Sequence, residues 1–187
     1  MFCFASERVR MRSIMIINKI KSGYDALVKD DLEQARQIFA ALADEDLRAK
    51  WGFFLVNLID GGNVYEYPTY FQVRNFLEID IDFLISRYKG DYVERIAGYS
   101  DFLFQINPET YKFIGRVFLN NDLKPQAMFF LERAKTYFYN DPELHYLFAD
   151  IYFKEGNKKE VAAALEACLE VLPGYYPAEA MLKKLAA

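Results

Sequence analysis

PETYKFIGRVFLNNDLKPQAMFFLERAKTYFYND (residues 108–141) is followed directly by PELHYLFADIYFKEGNKKEVAAALEACLEVLPGY (142–175). The two stretches have the same length, and each opens on Pro-Glu ahead of an aromatic-rich run. Set one above the other, Gly115 falls on Ala149, Phe118 on Tyr152, Asp122 on Gly156, Ala127 on Val161 and Ala134 on Cys168. Two antiparallel helices pack closely only where small side chains face each other. Gly115 and Ala149 supply this on the first helix of each pair, and Ala134 and Cys168 on the second. Phe118 and Tyr152 are the large knobs of the adjoining space. Asn120-Asn121-Asp122 and Glu155-Gly156-Asn157 supply the tight turn between the helices, where a residue tolerant of the left-handed conformation is wanted.

Across the chain breakers are sparse: 9 Gly and 6 Pro punctuate helix-length apolar-periodic segments. No useful length alternates with period two, so strands are not expected. The pattern predicts helices over roughly 13–29, 32–44, 47–60, 68–87, 91–105, 109–120, 124–139, 143–155 and 158–171, with a shorter one near 177–186. The links are short, which makes neighbouring helices antiparallel hairpins. No Ser/Gly-rich linker divides the chain, so the pattern predicts one helical domain over 13–187, with 1–12 a disordered segment ahead of it. Gly23, the turn Lys29-Asp30-Asp31-Leu32, then Ala35, Phe39 and Leu42 repeat the order seen at 108–141, which marks a further copy at 16–49. Helices over 50–107 have suitable lengths, and Lys89-Gly90-Asp91-Tyr92 looks like a repeat turn, but the small positions are out of order. This part reads as divergent.

The period set by Pro108 and Pro142, about 34 residues, and the small/large order over 108–174 resemble the tetratricopeptide repeat family. The first large position is held by Tyr111 and His145, and the second helix of 108–141 reads as longer than is usual in the family, with the closing Pro142 about three residues late. The resemblance implies an all-α fold: a right-handed α-solenoid of antiparallel helix pairs, a tetratricopeptide-like superhelix. A stacked array exposes an apolar face at its last repeat, and the segment 176–187 (PAEAMLKKLAA from Pro177) suits a capping helix over it.

The charge balance excludes some functions. With 27 acidic and 23 basic side chains the net charge is −4, which gives no footprint for nucleic acid. No apolar run is long enough to span a membrane. Cys3 and Cys168 are too few and too distant for a disulfide framework and lack zinc spacing, so a reducing cytoplasm is the expected compartment. His145 is the one histidine, and no second histidine or cysteine lies near it in sequence to build a metal or nucleophile site. Glu78 and Asp82 share a helix face and read as solvated. Asp44-Glu45-Asp46 reads as the start of a helix, where negative charge complements the dipole. Gly61-Gly62-Asn63 has no preceding strand and reads as a helix terminator, not a phosphate loop. No cofactor, metal or catalytic residue is expected.

If the resemblance holds, the first helix of each pair lines a concave groove. Its inward positions would be Glu109, Lys112, Arg116, Leu119 and Asn120, then Glu143, Tyr146, Asp150, Phe153 and Lys154, with Tyr24 and Val28 from the N-terminal copy. Lys112, Arg116, Asn120, Tyr146, Asp150, Phe153 and Lys154 are the candidate peptide-binding set. Mixed charge with aromatics suits an extended peptide or partner helix. Some family members grip a C-terminal carboxylate with paired Lys and Asn. Lys112 matches one position, but Arg116, Tyr146 and Asp150 do not complete the clamp. The expected function is a non-catalytic protein-interaction scaffold. The alternatives are a small assembly or secretion chaperone that shields an apolar client segment and, further off, an enzyme on a helical solenoid using Glu78, Asp82 and His145. The aromatic stretch 63–72 is where a homodimer contact would be sought.

Overall fold

The computed structural model describes residues 2–61 and 66–186, with side chains described from residue 10 to 185 within those ranges. Among the described residues every regular element is a helix, so the chain is all-α. The helices are α1 (Phe2–Val28), α2 (Leu32–Ala40), α3 (Leu47–Asp60), α4 (Tyr70–Ser86), α5 (Gly90–Gly98), α6 (Ser100–Ile106), α7 (Thr110–Asn120), α8 (Lys124–Tyr137), α9 (Pro142–Lys154), α10 (Lys158–Val171) and α11 (Tyr176–Ala186). Helix α1 begins at Phe2, well ahead of the Ser13 start that the apolar pattern suggests. The single helix expected over 91–105 is two, α5 and α6, with the break at Tyr99 behind Gly98. Glycine is the poorest helix former after proline, and the pattern of apolar residues carries straight across the break.

The helices gather into two compact units, residues 1–108 and 109–187, where the absence of a linker suggests a single domain. In the first, α1 and α2 form a hairpin, α3 packs on both, and α4, α5 and α6 pack with one another and with α3 or α4. In the second, α7 pairs with α8 and α9 with α10; α9 also packs on α7 and α8, and α11 on α10.

Four hairpins share one turn. In α1–α2, α4–α5, α7–α8 and α9–α10 the residue at positive φ is Asp30 (66°), Tyr88 (58°), Asp122 (57°) and Gly156 (74°). The next residue donates its N–H back across the turn: Asp31 to Ala26 O at 3.1 Å, Lys89 to Leu84 O at 2.9 Å, Leu123 to Phe118 O at 2.9 Å and Asn157 to Tyr152 O at 3.0 Å. This is the Schellman arrangement, which satisfies carbonyls the helix end leaves orphaned. Tyr88, Asp122 and Gly156 are equally spaced, at the interval that separates Pro108 from Pro142, so the α4–α5 hairpin keeps the same frame as the two behind it. The sequence pattern misses it for a physical reason. Ile81 stands where Gly115 and Ala149 stand, and Ala97 where Leu131 and Leu165 stand, so bulk is exchanged across the pair. The small residue Ser100 is buried at the position of Ala134 and Cys168.

The small positions face large side chains, not each other as the alignment suggests. A methyl group on Gly115 would come within 2.7 Å of the Leu131 side chain. In the first unit Phe39 is fully buried between Gly23 and Gly52, and a methyl on either would lie 2.7 Å from its ring. Phe39 thereby holds α1, α2 and α3 together. In the second unit Ala149, Val161, Leu165, Cys168, Ala178 and Met181 form a contiguous buried cluster, by which α11 covers α10. Each large member of such a cluster contributes on the order of 1.5–3 kcal/mol through burial. Helices α8 and α10 are both 14 residues long. Helix α8 ends at Tyr137, short of the expected 139, and residues 138–141 form the connection to α9.

Local caps set the starts. Asp31 caps α2, Asp46 caps α3 through Arg48 N at 2.8 Å and Ala49 N at 3.0 Å, and Asp141 caps α9 with Pro142 at its first position. Thr69 and Gln72 form a reciprocal capping box on α4, and Gln72 also donates to Leu47 O at 3.1 Å. Gly61, at φ 71°, ends α3 in the left-handed conformation; Gly62, Asn63, Val64 and Tyr65 lie outside the described residues.

Candidate binding surface

In the second unit the candidate residues lie on α7 and α9, which pack together, and Lys112, Arg116, Asp150 and Lys154 are held in ion pairs. Lys112 is buried. Its Nζ donates to Asp141 Oδ2 at 2.7 Å and Glu109 Oε1 at 2.9 Å, and stands 3.2 Å from Glu143 Oε2. Burial works against its charge, but Asp141, Glu109 and Glu143 outweigh it and hold Lys112 above the ordinary lysine value. Arg116 pairs with Glu143 and lies over Phe113. The carboxylates at the start of α9 thus bind the first two turns of α7. Lys112 is a tie between helices, not a clamp open to a ligand.

The other candidates differ in access. Lys154 lies 3.4 Å from Asp150 and 3.7 Å from Asp122, at the far end of the same face. Tyr146 is half-buried and meets Tyr175 edge-on, 5.8 Å between centroids. Leu119, expected in the groove, is buried core. Asn120, Phe153 and Lys154 are exposed, and Arg116 and Asp150 are half-exposed. On α8, Arg133 donates to the Tyr111 hydroxyl at 3.0 Å and lies 4.4 Å from that ring's centroid, beside the exposed Phe129 and Tyr137.

The first unit holds a polar centre that the sequence does not announce. Asp80 is fully buried on α4 in line with Val73, Leu77, Ile81 and Leu84. Its Oδ2 accepts from Trp51 Nε1 at 2.5 Å and from the Tyr24 hydroxyl at 3.1 Å, and its Oδ1 pairs with Arg48. The Arg48 guanidinium lies between Tyr24 and Phe76, 4.8 and 4.7 Å from their centroids. Burial holds Asp80 above the ordinary carboxylate value, with Arg48, Trp51 and Tyr24 pulling the other way. The same burial, with Asp80 beside it, raises Tyr24 well above a free phenol. One signal was available: Asp80 falls three residues after Leu77 and four before Leu84, on the apolar stripe of α4. Glu78 and Asp82, which read as solvated, are half-buried and exposed respectively.

Other residues with reactive groups have structural surroundings. His145 is half-buried with Nε2 2.8 Å from Tyr139 O, and the Cys168 thiol donates to Pro142 O at 3.1 Å from a buried position. Burial pushes that thiol up, away from thiolate chemistry. Tyr67, Tyr70 and Phe71, within the stretch singled out for self-association, are exposed; Tyr67 meets Phe102 at 5.4 Å. Among the described residues no group of three His, Cys, Asp or Glu could hold a metal ion, and no helix is long and apolar enough to cross a membrane. Compared with protein-family models, with curated proteins and with solved structures, the chain gives no match in any of the three.

Proposed function

We propose that the chain is a non-catalytic protein-interaction scaffold of tetratricopeptide-repeat type, a right-handed superhelix of helix pairs that works in the cytoplasm and binds a peptide or partner segment. The observation that carries this reading is the evenly spaced recurrence of one left-handed turn at Tyr88, Asp122 and Gly156, in step with the period of that family. The ligand side is the α7–α9 face. Lys112 is taken up there by Glu109, Asp141 and Glu143, so the contacts fall to Asn120, Phe153 and Lys154, with Arg116, Tyr146 and Asp150 at their edge. Phe153 is the aromatic anchor of that set.

A photo-crosslinking amino acid at position 120 or 153, with position 166 on the exposed side of α10 as control, tests this. One partner trapped from both α7 and α9 and absent from the control is expected. Equal labelling at all three, or none at 120 and 153, removes the reading. The exposed Phe129, Tyr137, Tyr139 and Tyr176 favour a second reading, a chaperone for an apolar client segment. In that case co-expression keeps the client soluble, and substituting Phe129 and Tyr137 by Ser abolishes the effect.

A further inference from the structure

Helix α1 is far longer than its neighbours. Its 27 residues span ~40 Å, against ~14 Å for the nine residues of α2. The N-terminal half therefore overhangs, and it is not polar. Met11 is 66% exposed, Ile14 47%, Met15 52% and Ile17 64%. Helical spacing places Met11, Ile14, Met15 and Asn18 in one stripe on the face opposite the buried Gly23 and Leu27. Arg10 and Lys21 flank the stripe on one side, and Arg12 and Lys19 on the other. Residues 8–24 contain five Arg or Lys and no Asp or Glu, in a chain whose net charge is −4. Glu45 meets Arg12 on the flank, and Asp25 is the first acid further along the helix.

We propose that this half of α1 is an interfacial helix that docks the protein on an anionic lipid surface. An apolar ridge with cations along both edges buries its methyl and thioether groups at the headgroup boundary while Arg10, Lys19 and Lys21 reach the phosphates. A second copy of the chain is a poor occupant, since a two-fold contact through this face would set the same cations against each other. A protein ligand wants a groove with walls, and this stripe belongs to one convex helix. The helix lies on the membrane and does not cross it.

The test is co-sedimentation of the full chain with phosphatidylcholine vesicles, with and without about one-third phosphatidylserine. Wild type is expected to pellet with the anionic vesicles, far less with the neutral ones, and to be released by high salt. Ile14→Ser with Met15→Ser, and separately Arg10→Glu with Lys21→Glu, should each weaken binding about tenfold or more. These side chains are exposed, so helix content and melting temperature should match wild type. Wild type left in the supernatant with both vesicles overturns the proposal, including when the same helix instead mediates a dimer or captures an acidic protein. So does unchanged binding by the Ile14→Ser/Met15→Ser variant.

Discussion

Replacing Asp80 by alanine leaves Arg48, Trp51 and Tyr24 facing a void with their donors unpaired. Removing one partner of a buried ion pair costs about 3–5 kcal/mol, so Asp80→Ala should lower the urea midpoint of the first unit sharply. Asn at the same place keeps an acceptor and should lose less; an Ala variant as stable as wild type would show that the centre carries no stability. The glycines divide by what surrounds them. Gly23→Ala pushes a methyl into the immobile Phe39 ring and should destabilise by about 1–3 kcal/mol in thermal melts. Gly98→Ala meets open space at the end of α5 and should stabilise by about 0.5–1 kcal/mol. Gly23 was legible as a packing position because it repeats the place of Gly115 ahead of a turn. Asp80 was not, because a carboxylate on an apolar stripe declares its partners only when α1 and α3 have folded onto α4.

At the scale of helices, Lys112 joins the start of α7 to the start of α9. Its folded pKa is raised, so the stability it contributes is fully present below the unfolded value of 10.5 and is lost as pH rises through the folded one. Melts of wild type between pH 9 and 12 should fall more steeply than those of Lys112→Met, which has no proton to lose there. Parallel slopes would mean that the three carboxylates do not hold the ammonium. The groove assigned from family spacing placed Lys112 toward a ligand. The expected limits of α7 hold to within a residue, but Asp141 and Glu143 lie a whole hairpin further along the chain, and a family pattern does not say whether such acids turn back to meet it.

The whole chain groups into two units, and the second has its own core, caps and closing helix. Residues 109–187 expressed alone should therefore unfold cooperatively in urea, with the helix content of α7–α11; a broad, non-cooperative melt would mean that the boundary at 108 is not a folding boundary. The all-α class, most helix limits to within a few residues, the hairpin turns and the paired repeat at 108–175 are legible in the amino-acid pattern alone. These follow from local spacing, from caps such as Asp141 and from turns that neighbouring residues close among themselves. The rest emerges only in the folded chain: that Phe39 fills the gap between Gly23 and Gly52, that Asp80 is the buried carboxylate, that Lys112 is sequestered, and that the outer face of α1 is exposed. Each of these depends on which distant side chains meet, and that is settled by packing between helices, which spacing along one helix does not contain.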